Sequence, residues 1–360
     1  MQTPFMTGFP GFITTQLIHE LIRQKKATTF YLLVLENQMS LARETISKME
    51  LPESVHLHLI EGDITQFQMG LTDEDLGLVK EEVDVVWHLA AIYDLAVPKN
   101  IAWKVNVHGT ASVLETIQHF PHLKRLMYFS TAYVAGTRTG LLKETELIRP
   151  KSFKNYYEET KFEAELMLKE EYANIPATVI RPGIVRGHSK TGTTIKFDGP
   201  YFFLNMIERL KGLPVIPYVG KSSSYINVVP IDYIMEAAVY LSELEAANHQ
   251  TVHLTDPNPH PVEEVYRRMV QLVTGKSPKG RFPLALAKSG LGVKKVRQML
   301  GVEQETLDYL TWDAQFDTTV AEKLLQDSEI TCADFIDSME PMVQFYVKNK
   351  DHKKYHVKIE

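Results

Sequence analysis

Short apolar runs and helical stretches take turns along the first half of the chain. Thr29 to Leu35, Val55 to Ile60, Asp84 to Trp87 and Arg125 to Phe129 have the length and near-continuous apolar character of buried strands, with Phe5-Met6 opening the series. Phe12 to Ile22 shows helical periodicity, and Tyr156 to Glu171, rich in Glu, Lys, Leu and Ala, has the composition of a helix. Strands alternating with helices imply parallel pairing and right-handed crossovers, which predicts an α/β fold, a Rossmann-type doubly wound parallel sheet. Ligands of such sheets collect at the carboxyl ends of the strands. The polar residues that end each run therefore face one crevice: Glu36, Asp63, the His88-Leu89-Ala90-Ala91 segment and Ser130-Thr131.

Two local patterns give that crevice a chemistry. Gly8, Phe9, Pro10, Gly11, Phe12 and Ile13 span the first strand-to-helix turn, where Gly8 permits a tight bend and Gly11 lets backbone N–H groups approach a pyrophosphate. The positive end of the helix stabilises the phosphate charge. Thr14 stands where close helix-to-strand packing would favour Gly or Ala. Far downstream, Tyr157 and Lys161 lie four apart on one helix, so phenol and ammonium share a face. A tyrosine with a pKa of about 10 is a poor base near neutrality, and a nearby cation is expected to lower that value and make proton transfer practicable.

Composition narrows the class. A chain of 360 residues that is 44% hydrophobic can bury a large core, and its net charge of −6 argues against general nucleic-acid binding. No apolar run reaches the roughly 18 residues of a membrane span, and a dinucleotide turn beginning at Thr7 leaves no room for a leader, so a cytoplasmic location is expected. Cys332 is the only cysteine, which rules out an intrachain disulfide. No metal site is expected: His56 and His58 share a strand face but lack the helical spacing of a zinc pair.

In their order along the chain, Gly8 and Gly11, Asp63, His88 to Ala91, Asn106-Val107-His108-Gly109-Thr110, Ser130-Thr131, Tyr157, Lys161 and Arg181-Pro182-Gly183 resemble an extended short-chain dehydrogenase/reductase. The segments Tyr225 to Tyr233 and Val252 to Pro259, with Asp317, are similar to its fatty acyl-CoA reductase and thioester reductase branch, the male sterility, NAD-binding group. The resemblance implies a cofactor lobe over residues 1–185, with 228–256 returning to it. It also implies a smaller, mostly helical substrate lobe over 186–227 and 257–346; residues 347–360 read as a solvated tail. It implies NAD or NADP as cofactor, with Asp63 and Ile64 flanking the adenine, Leu89, Ala90 and Ala91 lining the groove, Lys161 holding the nicotinamide ribose, and Pro182 and Gly183 at the nicotinamide. Thr131 and Tyr157 would bind the substrate oxygen, Tyr157 would move the proton, and Asn106 would act in catalysis or fix the backbone around it.

The reaction so implied is hydride transfer to or from a carbonyl or alcohol, including reduction of an acyl thioester to an aldehyde, the acyl group carried on CoA or a carrier protein. A nucleotide-sugar epimerase or a hydroxysteroid-type dehydrogenase uses the same apparatus. A dehydratase is disfavoured, because Ala132-Tyr133 follows Thr131 where that group has Asp-Glu. A non-catalytic dinucleotide sensor is the reading of another class, and such relatives tend to lose the Tyr or Lys. The resemblance also implies a homodimer joined through helices.

Two features qualify this. Thioester reductases often carry Arg where Glu36 ends the second strand, and a carboxylate there suits ribose hydroxyls better than a 2′-phosphate, so NAD(H) is expected. Residues 276–297 hold Lys276, Lys279, Arg281, Lys288, Lys294, Lys295 and Arg297 with no acidic residue, either a solvated basic face or a surface for a CoA phosphate or an acidic carrier.

Overall fold

The computed structural model describes residues 1–93, 97–303, 306–309 and 311–357. Seven parallel strands form the central sheet: β1 (Pro4–Thr7), β2 (Thr29–Val34), β3 (His56–Glu61), β4 (Val85–His88), β5 (Arg125–Phe129), β6 (Ala177–Pro182) and β7 (Thr251–Leu254). Their spatial order is β7-β6-β5-β4-β1-β2-β3. The chain builds outward from β1 through β2 to β3, then crosses back to β4 on the other side of β1. The order reverses between β1 and β4, and the crevice opens where Thr7 stands beside His88.

Both faces of the sheet are covered, which is why its strands read as continuous apolar runs. Alternate residues serve opposite cores. Met6, Trp87, Met127 and Phe129 join one cluster with α1 (Phe12–Arg23), while Phe5, Val86, Leu126 and Tyr128 join another with Val113, Leu114 and Ile117 of α2 (Gly109–Ile117) and Ala164 and Leu168 of α3 (Tyr156–Glu171). Burying each such large side chain contributes about 1.5–3 kcal/mol. Asn155 starts α3 as its N-cap, its side-chain oxygen accepting from the Glu158 N–H at 2.9 Å.

A second core lies outside the sheet. In α6 (Val262–Thr274), Val262, Val265, Tyr266, Met269 and Val270 form one stripe, packing with α4 (Tyr201–Leu210) and α7 (Met339–Asn349). Between β6 and β7, α5 (Ile231–Glu243) covers the α1 face of the sheet.

Two expectations about the last hundred residues change. Ala314–Phe316 pairs in parallel with Gly140–Leu142, and the helix Thr319–Leu325 buries Ala321, Leu324 and Leu325 in the sheet's own core. Part of 257–346 therefore packs on the sheet. The tail is also more than solvated: Lys350 pairs with Glu208, and the Tyr355 ring stacks on Phe197 at 5.1 Å, with the Phe197 N–H donating to the Tyr355 carbonyl. Charge alone suggested water, but an aromatic edge on the second core captures the segment. Its final residues, 358–360, lie outside the described residues.

Candidate functional site

At the first turn, Gly8 has φ +89°, and a Cβ there would lie 2.9 Å from the Ala90 nitrogen; a Cβ on Gly11 would lie 2.6 Å from the Gly8 carbonyl oxygen. The backbone of Leu89 and Ala90 thus lies directly against the turn. Gly11 caps α1 without a side-chain hydrogen bond, and the first turn of the helix has no acidic residue, so its N–H groups are left for an anion. The residue types fit a dinucleotide pyrophosphate. Thr14 departs from the expected role of a small packing residue, because its hydroxyl donates to the Gly8 carbonyl at 3.1 Å and braces the turn. Phe9 points into the core, leaving its backbone to the turn, while Phe12 and Ile13 pack partly against that core.

A buried polar line sets the strand tips, and its hydrogen positions follow from one another. The Thr110 hydroxyl donates to the Asn106 carbonyl at 2.7 Å, so it accepts from His88 Nε2 at 3.0 Å. The other ring nitrogen, Nδ1, is left to accept from the Thr7 hydroxyl at 2.8 Å. Thr7 Oγ1 then accepts from the Leu89 and Ala90 N–H groups at 3.2 and 3.1 Å. Burial, aided by the nearby Lys161 charge, pulls His88 down to about 3, which keeps the ring neutral as this arrangement requires. In the sequence Thr7 opens the glycine turn and Thr110 closes the Asn106 motif, but neither is given a role there; the structure gives them one as the two partners of the His88 ring.

Asn106, 1% exposed, lies in a π-helical stretch, Trp103–His108. Its Oδ1 accepts from the Ile92 N–H at 2.8 Å, and its Nδ2 donates to the Ile92 carbonyl and the Thr160 hydroxyl, both at 3.0 Å. Its side-chain groups are therefore occupied in fastening the Ile92 loop to α3. Of the two roles the resemblance left open for Asn106, the geometry matches backbone fixing.

Thr131 follows β5 and opens a 3₁₀ turn, Ala132–Ala135. Tyr157, half-buried on α3, has the Thr131 side chain beside its phenol. Burial raises Tyr157 well above the ordinary tyrosine value, only partly opposed by the Thr131 hydrogen bond. The expected lowering by Lys161 is thus corrected. Lys161, 2% exposed, donates to the Phe129 carbonyl and lies 4.4 Å from the centre of the Tyr128 ring. Helical spacing puts the two residues on one face, but the strand end engages the ammonium. Burial lowers Lys161 to about 7 against the opposing pull of Glu165.

Beneath these residues, Ser130 donates to Glu165 at 2.6 Å, and Glu165 pairs with Arg181. Arg181 also donates to the Glu146 carbonyl at 3.0 Å and to His253 Nε2 at 3.3 Å, while His253 Nδ1 donates to the Asp317 carbonyl at 2.8 Å. This chain holds the ends of β5, β6 and β7 against α3. Pro182, buried, ends β6, and the Gly183 N–H donates to the Leu254 carbonyl at 3.1 Å.

The adenine side is more open. Asp63 Oδ1 accepts from the Thr65 N–H at 2.8 Å, and Ile64 is buried against Gly109. Strand β2 stops at Val34, so Glu36 opens a short 3₁₀ turn instead of ending the strand, and it is exposed. His58 stacks on Tyr31 at 5.1 Å, and among the described residues no group of three or more His, Cys, Asp or Glu could hold a metal ion. The basic stretch is divided. Arg281 forks onto Glu263 at 2.6 and 2.9 Å, and Lys288 reaches Asp308 at 2.8 Å, while Lys279, Lys294 and Lys295 are exposed and make no ion pair among the described residues. No helix among the described residues is long and apolar enough to cross a membrane.

Comparisons with known proteins bear on the family and the fold. The chain is 27% identical over 269 residues to a non-canonical nonribosomal peptide synthetase, cpsA, of Aspergillus campestris, covering 69% of this chain and 25% of that protein. It is 25% identical over 270 residues to the fatty acyl-CoA reductase wat of Drosophila melanogaster, covering 65% of this chain and 52% of that protein. The chain thus spans about half or less of the length of these curated relatives. Its structure superposes on the terminal R domain of the myxalamid PKS-NRPS pathway with a TM-score of 0.82 and 25% identity, covering 99% of this chain and 93% of that one. A UDP-glucuronic acid 4-epimerase from Bacillus cereus, solved with NAD, shares the fold at a TM-score of 0.65 and 20% identity. Residues 6–238 match the male sterility protein family, and with the glycine turn and the switch point in place, the chain belongs to that NAD-binding family of extended short-chain dehydrogenase/reductases.

Proposed function

We propose that this chain is an NAD(P)-dependent oxidoreductase that reduces an acyl thioester to an aldehyde. The observation that carries this reading is the meeting of Thr131 and Tyr157 past the carboxyl end of β5, in the sheet whose first strand ends in the glycine turn. Its agreement with a fatty acyl-CoA reductase and an R domain selects the thioester among carbonyl substrates. The epimerase reading has the fold in its favour and little else.

When bound, reduced nicotinamide supplies the hydride. Thr131 and Tyr157 hold the thioester oxygen. As a C–H bond forms at the carbonyl carbon, Tyr157 gives its proton to that oxygen; its raised pKa keeps the phenol protonated for this step. Collapse re-forms the C=O bond and breaks the C–S bond; the hydroxyl proton passes back to Tyr157, and the departing thiolate takes a proton from water, giving an aldehyde and a thiol. Lys161, held by the Phe129 carbonyl, would hold the nicotinamide ribose.

Glu36 favours NAD(H), since its exposed carboxylate at the crevice accepts from ribose hydroxyls and repels a 2′-phosphate. Lys279, Lys294 and Lys295 offer their charge to the phosphates of CoA or to an acidic carrier. A cytoplasmic setting and a dimer through helices complete the reading. Incubating the protein with acyl-CoA thioesters and NADH or NADPH, and trapping aldehyde, tests it: aldehyde from the parent and none from Tyr157→Phe is expected. Turnover surviving in Tyr157→Phe, or none in the parent across acyl classes, would overturn it.

A further inference from the structure

The two groups that would hold the substrate oxygen stand on different elements. Thr131 opens the 3₁₀ turn Ala132–Ala135, which ends at Gly136, whereas Tyr157 lies in the first turn of α3. The side chain of Lys154 reaches both elements. Its ammonium donates to the Gly136 carbonyl at 2.6 Å, at the end of the Thr131 turn, and lies 3.6 Å from the carboxylate of Glu158, the residue after Tyr157. The Lys154 backbone N–H also donates to that carboxylate, at 3.1 Å. Water reaches little of the pair, whose side chains are 6% and 0% exposed.

A buried ammonium persists only where other groups replace its hydration. Here a carbonyl, a carboxylate and three rings do so. Lys154 Nζ lies 3.7 Å from the ring centre of Trp312, 5.3 Å from that of Tyr309 and 5.8 Å from that of Tyr133, which belongs to the Thr131 turn. The rings are themselves held. The Trp312 indole N–H donates to the Arg138 carbonyl at 2.8 Å, and the Tyr133 ring packs 5.4 Å from that of Trp312. The Tyr309 hydroxyl donates to Glu158 at 2.8 Å and accepts from Asn155 at 3.2 Å, while Asn155 Oδ1 caps α3 on the Glu158 N–H. Burial lowers Lys154 and raises Glu158, each opposed by its partner's charge. Displacing the ammonium therefore loosens the end of the Thr131 turn and the start of α3 together.

We propose that Lys154 is a positioning residue for the reaction, holding Thr131 and Tyr157 at the separation that a single carbonyl oxygen requires. It acts through the Gly136 carbonyl and Glu158, and the proposal rests on the oxidoreductase reading of Thr131 and Tyr157. Misplacing a reacting group by about 1 Å can cost on the order of a hundredfold in rate. The test introduces Lys154→Met, which keeps bulk against Trp312 and removes the charge, into the parent and into Thr131→Val, with turnover measured on an acyl-CoA and on a free aldehyde. In the parent, kcat should fall about tenfold to a hundredfold with the NADH dissociation constant changed by no more than about twofold. In Thr131→Val the further fall should be about threefold or less, since the separation matters little once one of the two hydroxyls is gone. Glu158→Gln, which keeps an acceptor for Tyr309 and for the Lys154 N–H, is the milder variant and should show a smaller loss with the same dependence on Thr131. Amide hydrogen exchange, read without substrate, should quicken in residues 131–136 and 155–160 of Lys154→Met and stay unchanged in 7–13. Equal losses in the two backgrounds, or NADH affinity lost in step with turnover, would make Lys154 a structural residue and overturn the proposal; unchanged exchange in either segment would do the same. If Lys154→Met does not fold, Glu158→Gln decides by the same criteria. A parent that turns over neither substrate, with exchange quickened in both segments, would overturn the reductase reading and leave only the tie between turn and helix.

Discussion

The glycine turn after β1 and the aromatic cluster around Tyr133 are built on opposite principles. The turn is made by residues within one strand-turn-helix unit, and its working atoms are backbone N–H groups, whose positions follow from two glycines and a helix start. The cluster joins Tyr133 to residues 309–316, more than 170 positions away, through the parallel pairing of Gly140–Leu142 with Ala314–Phe316. Its contacts are made by side-chain faces. The turn is therefore fixed by local, backbone-defined structure, and the aromatic cluster by long-range side-chain packing.

The strongest way to break the comparison is to remove the proton donor of the proposed reaction. Tyr157→Phe should lower kcat by about 10²–10⁴-fold with cofactor affinity nearly unchanged, as measured by turnover and cofactor titration. Equal loss of both would mean that the turn depends on the phenol. The network beneath the site ranks next. Glu165→Ala strands the buried Arg181 guanidinium and should cost about 3–5 kcal/mol in denaturant unfolding.

Lys161 supplies a pH test. Its folded pKa, about 7, lies below the ordinary lysine value, so above pH 7 the unfolded chain binds more protons and stability from this site rises with pH until unfolded lysine also titrates. Lys161→Met should flatten that rise in unfolding measurements made at successive pH values; an unchanged slope would remove burial as the cause.

At the aromatic cluster, Tyr309→Phe deletes the hydroxyl between Glu158 and Asn155 and should cost about 1–3 kcal/mol in denaturant unfolding. The smallest effect concerns the cofactor. Glu36→Arg should shift the ratio of NADH to NADPH dissociation constants about tenfold toward NADPH, since a rim charge acts through partly screened electrostatics. A parent that already binds NADPH more tightly would contradict the role given to Glu36.

By itself the sequence determined the layered sheet, because strands buried on both faces must be apolar at nearly every position, and Arg125 to Phe129 and Tyr156 to Glu171 match the observed elements. It also brought out the glycine turn and the proximity of Thr131 and Tyr157, since motif order places strand tips on one crevice. Only the tertiary structure decided where charges and rings point. Helical spacing put Lys161 on the face of Tyr157, yet the Phe129 carbonyl and Tyr128 ring hold its ammonium, an outcome set by residues on another element. The second strand's carboxylate, the pinned tail and the division of 257–346 likewise depended on partners far along the chain. Periodicity records which faces are buried and carries no label for what covers them, so a buried Tyr, Trp or Lys acquires its role only when packing selects its neighbour.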